Sequence, residues 1–158
     1  MMASRSRVPS ERDEVTRAAH ELVLPASEFR ILSEQEAAPV LSNIEAHFVK
    51  EAGHRWWWEA FRDSPTAQTH FADGTGWGYL SRIVPPESGL VWFVVEGDPE
   101  FVLCEATVEA VQSVIDECWA FEYYLVSQSL DWLIGENHSD VVFAIGEAVC
   151  ERLAQAAS

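Results

Sequence analysis

The chain predicts an α+β fold: a single, largely antiparallel sheet of about five strands packed against N-terminal, central and C-terminal helices. Three observations predict it. Short apolar or alternating runs come in pairs joined by turn-forming residues, as in hairpins. Helix-spaced apolar faces precede, interrupt and follow those pairs, without the strict alternation of a parallel βαβ fold. The length of 158 residues, 48% of them apolar, suits one self-sufficient core.

The first eight residues are polar and are expected to be disordered, leaving 9–158 as a single α+β domain. Ser10 with Asp13 reads as a helix N-cap, followed by Val15, Ala18, Ala19 and Leu22 at helical spacing, and Pro25 closes that helix. Ser33 with Glu36 is a capping box. Ala37, Val40, Leu41, Ile44 and Phe48 then share one face, Pro39 implies a late start or a kink, and Gly53 suits the C-cap. His54–Phe61 reads either as a strand or as the start of a short helix. Residues 63–89 are rich in Gly, Pro, Ser and Asp, long enough either to carry function or to conceal a short element.

The pattern then sharpens. Leu90–Val95 is a buried strand, the EGDPE segment a turn, and Phe101–Ala106 the returning strand. Thr107 caps a helix whose apolar face is Val108, Val111, Val114, Ile115 and Cys118. Phe121–Ser127 alternates, with Phe121, Tyr123 and Leu125 on one face and Glu122, Tyr124 and Val126 on the other. Asp131–Glu136 and Val141–Ile145 complete the strands, and Ala148, Val149, Cys150, Leu153 and Ala154 make a closing helix.

Charge is the most informative bulk property. Ten basic residues face 26 acidic ones, a net charge of −16. Residues 1–82 carry nine bases and twelve acids, net −3, whereas 83–158 carry only Arg152 against fourteen acids, net −13. Such a field repels phosphates, which argues against nucleic acid and anionic membranes and favours a basic protein partner. The longest central apolar run, LVWFVV, is far short of the ~20 residues of a membrane span. The N-terminal MMASRSRVPSERDE has no apolar core of a secretory signal. Cys104, Cys118 and Cys150 are far apart among apolar neighbours, so buried, reduced thiols in the cytoplasm are expected.

No motif calls for a cofactor, a metal or a catalytic residue. GTGWG at 74–78 lacks the strand–loop–helix frame of a phosphate loop. His47, Glu51 and His54 share a helical spacing, but the expected C-cap at Gly53 breaks it, and a solvated helix end is the simpler account. Trp56, Trp57 and Trp58 pack as core or present an aromatic anchor to a partner, and Trp77, in the long loop, is harder to explain as core. Asn137, His138 and Asp140 suit a hairpin turn. Glu122, Glu136 and His138 supply acid–base groups near it, and Glu122 and Glu136 would form a carboxylate pair if strand register set them opposite. The candidate binding residues are therefore Trp56, Trp57, Trp58, Trp77, Glu122, Glu136, Asn137 and His138.

From Glu117 to Glu147 the chain resembles an uncharacterised family of small bacterial domains with an FEYY strand followed by a WLxxENH block, and WWWE upstream is a weaker second match. That resemblance implies no activity. The small acidic α+β architecture is more loosely similar to the SUKH immunity proteins, which neutralise toxins by binding them. Together these features favour a non-enzymatic acidic interaction protein, in the special case an immunity-type inhibitor of a basic partner. The alternatives are a small-ligand-binding protein or enzyme with a Trp/Glu/His-lined pocket, and a homo-oligomeric structural protein.

Overall fold

Serine-led capping boxes start the first two helices. Ser10 Oγ accepts from the Asp13 N–H while Asp13 accepts from the Ser10 N–H, opening α1 (Glu11–Glu21). Ser33 and Glu36 do the same for α2 (Glu34–Phe48). Each box satisfies donors that a helix start leaves open. The computed structural model describes residues 9–49, 57, 61, 66–71, 74–97, 100–118 and 121–157.

The strands are β1 (Phe29–Ile31), β2 (Thr66–His70), β3 (Val91–Val95), β4 (Val102–Ala106), β5 (Tyr123–Val126), β6 (Leu133–Glu136) and β7 (Val141–Ile145). Short helix α3 (Leu80–Ile83) precedes β3, α4 (Val108–Glu117) links β4 to β5, and α5 (Glu147–Ala157) follows β7. All strands join one sheet in the order β1-β4-β3-β5-β6-β7-β2, with every neighbouring pair antiparallel. The α+β class and single antiparallel sheet agree with the sequence, but the strands among the described residues number seven rather than about five.

The two extra strands are the edges. β1 is only three residues, too short for a periodic signal, and β2 (TAQTH) is polar and solvent-facing along most of its length. Edge strands bury little, so they carry little hydrophobic patterning. The long segment 63–89 did conceal elements: β2, a 3₁₀ turn at Gly76–Tyr79, α3, and a second 3₁₀ turn at Pro86–Ser88.

Helices cover both faces. Across one face runs a row of paired residues, Cys104, Phe93, Leu125, Ile134 and Ala144, buried under α1, α3, α4 and α5. The other face presents Val94, Leu103, Tyr124, Val126 and Leu133 to Ile44 and Phe48 of α2 and to Trp57. There Gly135 has no room for a side chain: a Cβ would lie 2.5 Å from the Phe143 ring and 2.6 Å from Tyr124. A strand glycine lets these two rings lie over the backbone between them. On the opposite side Arg17 reaches the Glu117 carbonyl at 2.7 Å, placing a cation at the C-terminal end of α4.

Several local expectations change. Pro39 sits inside α2 without delaying its start, because the capping box and the buried Ile44–Phe48 face hold the helix on either side of the missing N–H. α2 ends at Phe48 with Val49 as its cap, and Gly53 lies outside the described residues. The strand or short helix expected at His54–Phe61 falls mostly outside them as well; Trp57 is in a 3₁₀ turn and Phe61 makes a single bridge to Val49. All three thiols are free, but only Cys104, on β4 between β1 and β3, is fully buried. Cys118 caps α4 and Cys150 lies on the rim of α5, so both are half-buried. Burial pushes the Cys118 thiol up to about 11. No described helix is long and apolar enough to cross a membrane.

Candidate functional site

Where β5 and β6 meet, the sheet changes chemistry. Val95 pairs with Tyr123, Tyr123 with Glu136, and Glu136 with Val142, which puts a phenol and a carboxyl side by side on the face covered by α1, α3, α4 and α5. The Tyr123 hydroxyl donates to Glu136 Oε1 at 2.8 Å. Glu136 is only 8% exposed. Burial raises its carboxyl above the usual range; the Tyr123 bond opposes that rise and the Asp140 charge adds to it. Burial, then Glu136, likewise raises the Tyr123 hydroxyl.

The 3₁₀ turn at 76–79 closes over this pair. A Cβ on Gly76 would lie 2.6 Å from Val142 Cγ2 and 2.7 Å from Glu136 Oε2, so only glycine permits so close an approach. Gln112 of α4 holds the turn by donating to the Trp77 and Gly78 carbonyls at 3.1 and 3.2 Å. Half-buried Trp77 thereby becomes the wall of a cleft of about 380 Å³. The end of α4 contributes Ile115, Asp116 and Cys118; the approach to β5 contributes Phe121, Glu122 and Tyr123. Glu136, Asn137, His138 and Asp140 close the remaining side, with Gly74 beside Asp140.

Residues 137–140 are both a hairpin turn and one wall of the cleft. The Asp140 N–H donates to the Asn137 carbonyl at 3.1 Å, and Asn137 Oδ1 accepts from the Ser139 and Val141 N–H groups. Asp140 has φ +60°, a left-handed conformation that aspartate tolerates. His138 is anchored to Glu122: both its N–H, at 3.2 Å, and its Nδ1, at 2.5 Å, meet Glu122 Oε1.

Trp77, Glu122, Glu136, Asn137 and His138 thus converge on one cleft. Trp57 does not. It is 1% exposed, packed at 5.1 Å from Phe101 and 5.2 Å from Tyr124, and belongs to the core beneath α2 rather than to a surface a partner can reach. Trp56 and Trp58 lie outside the described residues. The carboxylate pair that would form if register set Glu122 opposite Glu136 does not form, because register puts Tyr123 opposite Glu136, and the two carboxyls reach the cleft separately. Opposite Glu122 stands Glu96, just beyond β3. Sequence reasoning missed Tyr123, Asp116, Asp140 and Glu96 as site residues. The turn at 127–131 was the available signal, since centring the β5–β6 hairpin there pairs Tyr123 with Glu136. Glu51 and His54 of the helical histidine set are not described, and the described residues hold no His/Cys/Asp/Glu cluster suited to a metal.

Fold and site define a class: an α+β protein with a seven-stranded antiparallel sheet whose end opens into an acidic cleft walled by a tryptophan. Within that class, the chain belongs to the family of unknown function DUF6756, whose family model matches residues 8–157. The match extends over nearly the whole chain, well beyond the C-terminal half from which the uncharacterised-family resemblance was read. No curated protein and no solved structure matches the chain.

Proposed function

We propose that this protein is a non-enzymatic, acidic interaction protein, and that its cleft receives a lysine or arginine side chain of a basic partner. One observation carries the reading: four carboxyl groups, Asp116, Glu122, Glu136 and Asp140, line a cleft that Trp77 and Phe121 make partly apolar. Carboxylates attract the cationic head while aromatic faces receive the alkyl stem and add a cation–π contribution. The −13 half of the chain supplies long-range attraction. An immunity-type inhibitor of a basic toxin is the special case that the SUKH likeness suggests, and the unbridged cysteines fit a reducing, cytoplasmic setting.

The test is an NMR titration with N-acetyl-lysine amide and N-acetyl-arginine amide, with N-acetyl-glutamine amide as the neutral control. Saturable shifts of the Trp77 indole and Asn137 amide are expected with the cations only. Equal shifts with the neutral compound would overturn the reading.

A second reading, a small-ligand-binding protein or enzyme, draws on the Glu122-anchored His138 beside the buried Glu136. A carboxylate-held imidazole and a carboxyl raised by burial are the elements of base and acid catalysis. It requires that Glu136→Gln or His138→Ala abolish a turnover that exposed charge changes leave untouched.

A further inference from the structure

A second pair of carboxyl groups runs from the cleft wall into the sheet, Glu122 lining the cleft and Glu96 standing behind it. Val95 and Tyr123 are paired, and one step further along both chains Glu96 and Glu122 stand directly opposite, the Glu96 N–H donating to the Glu122 carbonyl at 3.0 Å. Two carboxylates so placed repel each other. Glu96 Oε1 is supplied with donors, the Tyr124 hydroxyl and, at 3.3 Å, the Trp57 N–H. Glu96 Oε2 is buried with no donor among the described residues, although the side chain is within hydrogen-bonding reach of Glu122. An ionised carboxylate only accepts, so two of them bond only through a proton. Leaving the buried oxygen unsatisfied is costly. One shared proton removes both the repulsion and the missing donor.

We propose that Glu96 and Glu122 hold one proton between them at neutral pH, and that losing it leaves Glu122 fully charged in the cleft wall, so that protonation of this pair sets the pull of the cleft on cations. The proton passes to a base in solution, leaving two carboxylates. The consequence for cations rests on the proposed function of the cleft; the proton sharing itself does not.

The groups facing the pair are consistent with this. From β5 comes Tyr124. From the Trp57 segment comes a backbone N–H, with Glu45 of α2 behind it, bonded to Trp57 Nε1 at 3.2 Å. From the β6–β7 turn comes His138, on Glu122 Oε1. A continuous line, Tyr124–Glu96–Glu122–His138, thus runs from the α2 face of the sheet to the rim of the cleft. Burial first, then the bond to Glu122, pushes the Glu96 carboxyl up to about 8.

The experiment is an NMR titration of the full chain carrying ¹³C-labelled glutamate side chains, without ligand, from about pH 5 to about pH 10. One glutamate should titrate near 8, and the Trp77 indole and Asn137 amide should shift with the same midpoint. Glu96→Gln should abolish the transition; Glu136→Gln, which removes the raised carboxyl on the opposite wall of the cleft, should leave it in place. Tyr124→Phe, by removing a donor that favours the ionised form, should move the midpoint upward, which keeps the test decisive if Glu96→Gln fails to fold. If Glu96 and Glu122 are both ionised by about pH 6, there is no shared proton. If Glu96 titrates near 8 while Trp77 and Asn137 stay still, the link to the cleft is wrong. Affinity for N-acetyl-arginine amide should rise several-fold across the transition in the wild type and not in Glu96→Gln. Binding that does not change with pH overturns the regulation and leaves the cation reading standing, whereas absent binding sinks that reading alone.

Discussion

Two rows of side chains on the same face of the sheet, two residues apart, show how differently one scaffold can be used. The row Cys104–Phe93–Leu125–Ile134–Ala144 is entirely apolar. The next, Val102–Val95–Tyr123–Glu136–Val142, has the same strands and the same pairing but places a phenol and a carboxyl at its centre. An apolar row needs only volume from its neighbours. A polar row needs partners of the right kind, so it lies where the strands end and a turn, a helix terminus and a loop can approach it. The cleft is what that approach leaves open.

The largest way to break the comparison is at the apolar row. Leu125 is fully buried, and Leu125→Ala should cost about 3 kcal/mol through lost burial and a residual cavity. Denaturant unfolding measures it, and cation binding to the folded fraction should be unchanged. A loss below about 1 kcal/mol would mean that the row tolerates collapse.

A smaller effect should separate the end of the sheet from its centre. The raised Glu96 carboxyl keeps its proton in the folded chain while the unfolded chain loses it at the ordinary value of 4.5, so the folded state binds more protons between 4.5 and about 8. Stability therefore falls with rising pH through that window, and Glu96→Gln should make the slope shallower, leaving the part that the raised Glu136 carboxyl contributes. Relative to its difference from wild type at low pH, the variant should gain on the order of 2 kcal/mol by alkaline pH, a figure already discounted for the solvent that reaches this half-buried group. Parallel unfolding curves at acid and alkaline pH check it; equal slopes in both proteins would remove Glu96 as the source.

The smallest effect on stability belongs at the exposed rim. Asp116 and Glu117 are solvent-facing at the end of α4. Reversing both to lysine should change stability by under about 0.5 kcal/mol per site. Binding of N-acetyl-lysine amide should weaken, and more so at low salt, since screening acts over a Debye length of ~8 Å near physiological ionic strength. Glu96 does not belong in that set of exposed charges, because it is held inside the carboxyl pair.

How much was legible follows from where each residue gets its partners. Capping boxes at Ser10 and Ser33 join residues three apart, and the α4 face repeats over a few residues, so both stood in the sequence. The central hairpins were legible for the same reason, since β3 with β4 and β6 with β7 are joined by short turns. β1 and β2 were not, because an edge strand buries too little to leave a pattern. The aromatic triplet shows the other limit. Three consecutive tryptophans announce large buried area, but that Trp57 faces Phe101 and Tyr124 depends on a packing partner dozens of residues away.

By itself, then, the sequence determined the class of fold, the helix starts, the acidity of the second half and the residue types near the 137–140 turn, all of which rest on composition or on neighbours within a few positions. Tertiary structure decided which of those residues meet. Strand register put Tyr123 rather than Glu122 opposite Glu136, and placed Glu96 opposite Glu122 across β3 and β5, 26 positions apart. Shifting a strand by one residue moves every side chain to the other face, so these two pairings, and the cleft between them, exist only once the whole sheet has chosen its alignment.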